Sequence, residues 1–251
     1  TDITELAGTQ VAIPGWWSIH NMLLQRVLRA HGLTPVARKA PSRKDGTVEL
    51  VVMGPSDMIP ALATGSISAF TVADPFNAGA VAKGVGSLHM LLDEVWQDHA
   101  CCVTVVHEEL IDSRPDTVQA LIDSSVAAQL GIRADRTAAA EILSGKGYLP
   151  QPPAAVEVAM SGTVPDPTGG PERPRIDFHP YPFPSFTEEL VRQMRRTVVD
   201  GETRFLDGLD PSTVHRELVD DRFVRAAIER HGGPAALGLP ASLTRHERLL
   251  S

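Results

Sequence analysis

The feature that most constrains the fold is an alternation of short apolar runs and helical repeats over residues 10–106. The predicted strands cover residues 11–13, 48–53, 67–72, 85–92 and 101–106. The predicted helices between them cover residues 17–29, 56–64 and 75–83. Strands that alternate with helices at this spacing form a mostly parallel sheet with crossover helices. The sequence therefore predicts the α/β class, with a doubly wound lobe that has helices on both faces.

Beyond residue 106 the strand signal fades and helical periodicity takes over. The predicted helices cover residues 115–130, 136–143, 186–199 and 211–230, the last as one helix or two. Residues 150–184 contain ten prolines, which predicts irregular chain wrapped over a surface. We therefore expect an α/β ligand-binding lobe at 1–106 and a mostly helical segment at 107–251.

Composition narrows the class of partner. The net charge is −8 and no long basic stripe offsets it, so nucleic acid is not an expected partner. No apolar run approaches the roughly 18 to 20 residues that span a bilayer, and no signal-peptide pattern follows Thr1, which leaves location open. The adjacent Cys101 and Cys102 are expected to be buried in the strand at 101–106, and they supply too few ligands for a structural zinc site.

The loop after the first predicted strand is the first candidate ligand site. Ligands of open α/β sheets bind outside the carboxyl ends of the strands, where loops meet helix N-termini. Ser18 stands at a helix N-cap position, where first-turn amides attract an oxyanion. Trp16 and Trp17 are candidate pocket walls, and His20 is a candidate hydrogen-bond donor. The alternative is that Ser18 only caps the helix and that one Trp only packs.

Two further segments are candidates. Asp74 and Phe76 follow the third strand, where they could select a ligand through charge and shape. An aspartate N-cap with proline at the first helical position explains the same residues without a ligand. Trp96 precedes the predicted cysteine strand and is a third candidate ligand contact, with a surface turn as the alternative.

Catalytic motifs are scarce in this sequence. The chain contains no G-x-S-x-G, no Walker A motif and no H-E-x-x-H. We therefore expect no catalytic residue, no cofactor and no metal.

The order of several motifs resembles that of the bacterial nitrate and bicarbonate binding proteins, in a wider group that also binds sulfonates, taurine and thiamine-precursor pyrimidines. The matching segments are S-I-H-N-M-L-L from Ser18, G-P-S-D-M from Gly54, G-S-I-S-A-F from Gly65, D-P-F-N-A from Asp74, V-W-Q-D-H from Val95, F-P-S-F from Phe183 and Q-M-R-R from Gln193. The family usually has E-P-W-N-A at the fourth segment and I-W-K-x-H at the fifth. The resemblance covers most of the chain.

The resemblance implies a type II periplasmic-binding-protein-like fold and a role as the solute-binding component of an ABC importer. It implies a small polar or anionic ligand, an ABC permease as partner, and export to the cell envelope. Gln97 stands where the nitrate binders place a lysine near the ligand, and Asp74 and Phe76 replace the usual Glu and Trp. The resemblance therefore does not specify nitrate, and the pocket is expected to have a different shape.

Two other functions are implied by more distant members of the group. One is a cytoplasmic sensor that releases a regulatory partner when it binds its ligand. The other is an enzyme on the same scaffold, resembling the pyrimidine synthases or aromatic sulfinate hydrolases, with His20 or Cys101 as the reactive residue.

Members of this group carry a first lobe before the residues that match here. We therefore expect that residues 107–251 return to pack on such a lobe, which is missing from this sequence. Without it, the isolated chain is expected to self-associate or to offer an open half-site of weak affinity.

Overall fold

A computed structural model describes residues 2–166 and 169–249 of the 251-residue chain. The elements of the sheet part are β1 (Gln10–Ile13), α1 (Ile19–Ala30), β2 (Thr34–Val36), β3 (Thr47–Val52), α2 (Pro55–Ala63), β4 (Ala69–Phe70) and α3 (Phe76–Ala82). The elements that follow are α4 (Glu108–Ser113), α5 (Pro115–Ala134), α6 (Arg136–Gly145), α7 (Pro153–Ser161), β5 (Thr163–Val164), β6 (Arg173–Pro174), α8 (Pro184–Met194), α9 (Val214–Leu218), α10 (Arg222–Arg230) and α11 (Gly233–Ala236). Short 3-10 helices cover Ile3–Leu6, Leu92–Glu94 and Arg204–Gly208.

The four strands β1 to β4 form one sheet in the order β2-β3-β1-β4, and every neighbouring pair is parallel. Successive side chains of β1 point to opposite faces of the sheet. Val11 and Ile13 share a buried cluster with Leu24 and Leu28 of α1. Ala12 shares a different cluster with Met58 of α2. The predicted parallel sheet with helices on both faces is therefore confirmed.

The predicted strand at 85–92 is wrong. These residues form irregular chain that ends in the 3-10 helix Leu92–Glu94. Two of its apolar side chains, Met90 and Leu92, pack against the cluster that contains Leu23 of α1. The apolar pattern therefore reflects packing on a helix and not pairing with a strand.

The predicted strand at 101–106 is also wrong, and so is the expected burial of the cysteines. The segment has no regular secondary structure and pairs with no strand among the described residues. Cys101 and Cys102 are exposed free thiols, and Val103 and Val105 are 69% and 83% exposed. β-branched residues such as these valines favour strands, but the local preference does not produce a strand where no neighbouring strand pairs with the segment.

The helical character after residue 106 is confirmed, although the proline-rich stretch was predicted to be irregular throughout. It contains α7, which begins with Pro153 in its first turn, where proline costs no hydrogen bond. Val156 and Met160 of α7 are buried against Ala140 of α6. In the described residues no helix is both long and apolar enough to cross a membrane.

Candidate functional site

Three loops meet at the carboxyl edge of the sheet, where the fold predicts a ligand site. They are residues 14–18 after β1, residues 53–54 after β3 and residues 71–75 after β4. Two backbone bonds prolong the ladders into these loops, from Thr71 N to the Ala12 carbonyl and from Met53 N to the Ile13 carbonyl, each at 3.0 Å. The loop that leads into α1 therefore begins next to the loop that carries Asp74.

The turn before α1 is fixed by its own polar groups. Ser18 is the N-cap, and its hydroxyl accepts from Asn21 N at 3.2 Å and donates to the Gly15 carbonyl at 2.8 Å. The buried Asn21 side chain donates to the Trp16 carbonyl at 2.7 Å. First-turn amides have no acceptor within their own helix, and Ser18 satisfies only that of Asn21. The turn can therefore present the amides of Ile19 and His20 to an oxyanion.

His20 lies one residue into the first turn and is 9% exposed. Burial, and then the charge of nearby His99, lower its pKa to about 4. The imidazole is therefore neutral at pH 7, so it can exchange hydrogen bonds with a ligand but offers an anion no positive charge. Its Nε2 lies 3.7 Å from the sulfur of Cys101.

The Cys101 thiol is poorly suited to nucleophilic chemistry. The side chain is partly exposed, yet its surroundings desolvate the sulfur and Cys102 stands beside it, which together raise the pKa of the thiol to about 12. The thiolate is the nucleophile, so this site disfavours the reactive form. A neutral His20 next to a protonated thiol is not an activated pair.

The two tryptophans have different neighbours. Trp16 packs against the core cluster of β1 and α1. Trp17 is half-buried, and the ring of Phe205 meets it edge-on with 5.3 Å between the ring centroids. Phe205 lies in the 3-10 helix Arg204–Gly208, far away in sequence, and no local motif marked it as a site residue.

Asp74 is an ion-paired residue in the loop after β4. Its carboxylate is 3% exposed and contacts the Arg175 guanidinium at two points, Nε to Oδ2 at 2.5 Å and Nη2 to Oδ1 at 3.1 Å. Oδ1 also accepts from Ala78 N at 3.2 Å, although the helix begins at Phe76 and Pro75 holds the N-cap position. The N-cap explanation for Asp74 is therefore correct in part. The sequence alone does not show that Arg175 pairs with Asp74.

The side chain of Phe76 packs on the opposite face of the sheet from α1. It lies against the cluster of Ala12, Met58 and Val72 and keeps part of its ring exposed. The side-chain amide of the neighbouring Asn77 donates to the Val72 carbonyl at 2.6 Å and so holds the loop 71–75 against the start of α3. Phe76 is therefore held in place next to the candidate site, and its contact with a ligand stays a prediction.

Trp96 differs from the other candidates because it is completely buried. Its Nε1 donates to Glu247 Oε2 at 2.8 Å, and its ring lies 4.8 Å from that of Phe186. A side chain without exposed surface cannot line a ligand pocket in this structure. The geometry makes Trp96 a packing residue that anchors the end of the chain, which also forms a bridge from Leu249 to Trp96.

Among residues 2–166 and 169–249, no group of three or more His, Cys, Asp and Glu side chains is arranged to hold a metal ion. The loops 14–18 and 71–75 and the first turn of α1 carry helix amides, a neutral imidazole, aromatic side chains and an ion-paired acid.

The sheet, its edge loops and the helices that follow define a class of fold. It is that of the periplasmic binding proteins, an α/β doubly wound lobe followed by a mostly helical part. Residues 2–144 match the NMT1-like family, and the chain belongs to that family.

Two solved structures share this fold. Over 96% of its length the chain matches the crystal structure of the periplasmic nitrate-binding protein NrtA from Synechocystis PCC 6803, with a TM-score of 0.76 and 19% identity, and it covers 61% of that protein. Over 84% of its length it matches a ligand-binding component of an ABC-type import system from Staphylococcus aureus, solved with zinc bound, with a TM-score of 0.57 and 21% identity, and it covers 64% of that chain.

One relative is more similar in sequence over a shorter region. The bicarbonate transport ATP-binding protein CmpC from Synechocystis sp. is 32% identical over 105 residues, which is 42% of this chain and 14% of that protein. The chain therefore spans less than two thirds of each of these three proteins.

Proposed function

We propose that this chain is the ligand-binding part of an ABC-importer solute-binding protein, exported to the cell envelope, that captures a small polar or anionic solute and delivers it to a permease. The observation that carries the proposal is the match to the periplasmic nitrate-binding protein over 96% of the chain. Its activity is then binding without turnover. The raised pKa of the Cys101 thiol, caused mainly by desolvation, argues against the enzyme alternative.

The proposed binding surface is the carboxyl edge of the sheet. The first-turn amides of α1 hold the oxyanion, with His20 as a neutral hydrogen-bonding partner and Trp16 and Trp17 as flanking surface. Ser18 keeps these amides in place by closing the turn onto Gly15 and Asn21. The loop with Asp74 and Phe76 forms the neighbouring wall.

A clamp that buries a small ligand needs a second wall. We propose that residues 1–106 form one lobe, and that residues 107–251 return to pack on another lobe outside this chain. The segment 101–106 supports the proposal, because Val103 and Val105 are exposed apolar side chains on backbone that pairs with no strand among the described residues.

Calorimetric titration of the chain with nitrate, bicarbonate and methanesulfonate tests the proposed function. We expect at least one of the three to bind, and we expect Ser18→Ala and His20→Ala each to weaken that binding by about 1–3 kcal/mol, because each leaves a polar group without its partner. Ser66→Ala is the matched control, since Ser66 precedes β4 and lies at the opposite edge of the sheet. Binding that neither site variant changes would refute the assignment of the surface.

A further inference from the structure

The candidate site contains an acid that opposes its proposed ligand. Asp74 lies in the loop after β4, and β4 pairs directly with β1, whose own loop leads into α1. A bare carboxylate beside the first turn of α1 would repel an anion and attract a cation. The charge of this loop would therefore affect which class of solute binds next to it.

Arg175 neutralises the charge of the Asp74 carboxylate by pairing with it. Its guanidinium contacts both carboxylate oxygens of Asp74, at 2.5 and 3.1 Å, and only 10% of the Arg175 side chain is exposed. Ion pairs that are shielded from water lose little of their strength to screening by salt. Arg175 is itself held by a backbone bond from its N–H to the Gly162 carbonyl at 2.8 Å.

The arginine comes from an unexpected part of the chain. It follows β6, in the proline-rich stretch, and is separated from Asp74 by 101 residues. It also lines a cleft of about 330 Å³ between the 88–94 segment and the β5–β6 ribbon. The residue after the ribbon therefore brings the Arg175 cation into contact with the Asp74 anion.

We infer that Arg175 determines the specificity of the candidate site by neutralising Asp74, so that the site accepts anionic solutes and does not recruit cations. The inference rests on the proposed function and assigns Arg175 a positioning role that acts through Asp74. A purely structural role would instead tie the β5–β6 ribbon to the sheet. The specificity role and the structural role predict different results for substitutions of Arg175 and of Asp74.

The test compares three variants of the full chain, titrated with nitrate, bicarbonate and methanesulfonate. Arg175→Gln should weaken binding of the anion that the wild type binds by about tenfold or more, because it exposes that anion to the Asp74 charge. Asp74→Asn should bind the anion at least as well as the wild type. The double variant Asp74→Asn, Arg175→Gln should recover most of the affinity that Arg175→Gln loses.

Arg173→Gln is the matched control. Arg173 lies on the same ribbon and pairs with Asp93 and Asp166, so its loss changes the net charge equally without freeing Asp74. Calcium titration of Arg175→Gln adds a second readout, since the freed carboxylate should bind Ca²⁺ more tightly than the wild type does.

Each outcome decides the question. Equal losses in Arg175→Gln and Asp74→Asn, or no loss in Arg175→Gln, would overturn the inference while the proposed function stands. A wild type that binds none of the three anions would overturn both. If Arg175→Gln does not fold, Asp74→Asn and the double variant still decide, because the inference requires both to keep the affinity for the anion.

Discussion

The side-chain amide of Gln25 makes two hydrogen bonds to the backbone of Val198, as donor to the carbonyl at 2.7 Å and as acceptor from the N–H at 2.8 Å. Gln25 is completely buried in α1, and its amide also donates to Asn21 Oδ1 at 2.9 Å. The first turn of α1, which carries the candidate site, is thus connected through Asn21 and Gln25 to the segment after α8. The helical part therefore helps to hold the site in shape.

Loss of this connection should cost stability. Gln25→Ala leaves the N–H and carbonyl of the half-buried Val198 without their side-chain partner, so we expect the free energy of unfolding to fall by about 1–3 kcal/mol in urea denaturation. The matched control is Gln129→Ala, because Gln129 Oε1 has no hydrogen-bond partner among the described residues. Equal effects of the two variants would contradict the account.

The lowered pKa of His20 predicts a loss of stability in mild acid. Desolvation, and then the charge of His99, lower this pKa from 6.5 to about 4. The unfolded chain therefore binds a proton near pH 6.5 and the folded chain only near pH 4, so stability is fully present above pH 6.5 and is lost as the pH falls towards 4. The loss from His20 alone is up to about 3 kcal/mol.

Thermal melts of the wild type and His20→Gln between pH 7 and pH 4 check this sign. We expect the variant to lose less stability than the wild type over that range, while His89→Gln, at an exposed position, behaves like the wild type. Burial also lowers the pKa values of His99 and His215, so a smaller acid effect should persist in the variant. If the melting temperatures of the wild type and His20→Gln fell equally between pH 7 and pH 4, the fold would not be what keeps His20 neutral.

Substitution of Trp96 separates packing from ligand contact. Trp96→Phe removes the bond from Nε1 to Glu247 and leaves a gap in a fully buried position, so the free energy of unfolding should fall by about 1–3 kcal/mol. Its affinity for the solute should equal that of the wild type under conditions where both are folded. Lost affinity at unchanged stability would instead place Trp96 in the site.

The exposed segment 101–106 predicts self-association of this chain. Exposed apolar side chains on unpaired backbone favour contact with a second chain. We expect sedimentation velocity to show dimers or larger species, and Val103→Lys with Val105→Lys to shift the chain towards monomer. A strictly monomeric wild type that binds its solute with submicromolar affinity would show that no second wall is needed.

The parallel sheet was predictable because its signal is local. Val11, Ile13 and Val48 are apolar residues of short buried runs, and helical spacing with a Ser18 cap marks α1. Strand β2 was missed because it is only three residues long and contains Pro35, which an edge strand tolerates. The runs at 85–92 and 101–106 carry the same local signal as a strand but lack a neighbour to pair with.

The candidate site was predictable only in part. Ser18 and Asp74 follow strands at the edge where ligands bind, so chain order was enough to find them. Arg175 and Phe205 reach Asp74 and Trp17 through tertiary contacts, and nothing in their own sequence neighbourhoods indicates those partners. The sequence around Trp96 does not show that Glu247 and Phe186 cover it.

The most direct test of the central claim is an amide-resolved NMR titration of the chain with nitrate, bicarbonate and methanesulfonate. The account predicts that the bound anion shifts the amide signals of residues 15–20 and 71–76, with the largest changes at Ile19 and His20 in the first turn of α1. It also predicts that Ser18→Ala reduces those changes at equal anion concentration. Shifts confined to other surfaces, or no saturable shift with any of the three anions, would contradict it.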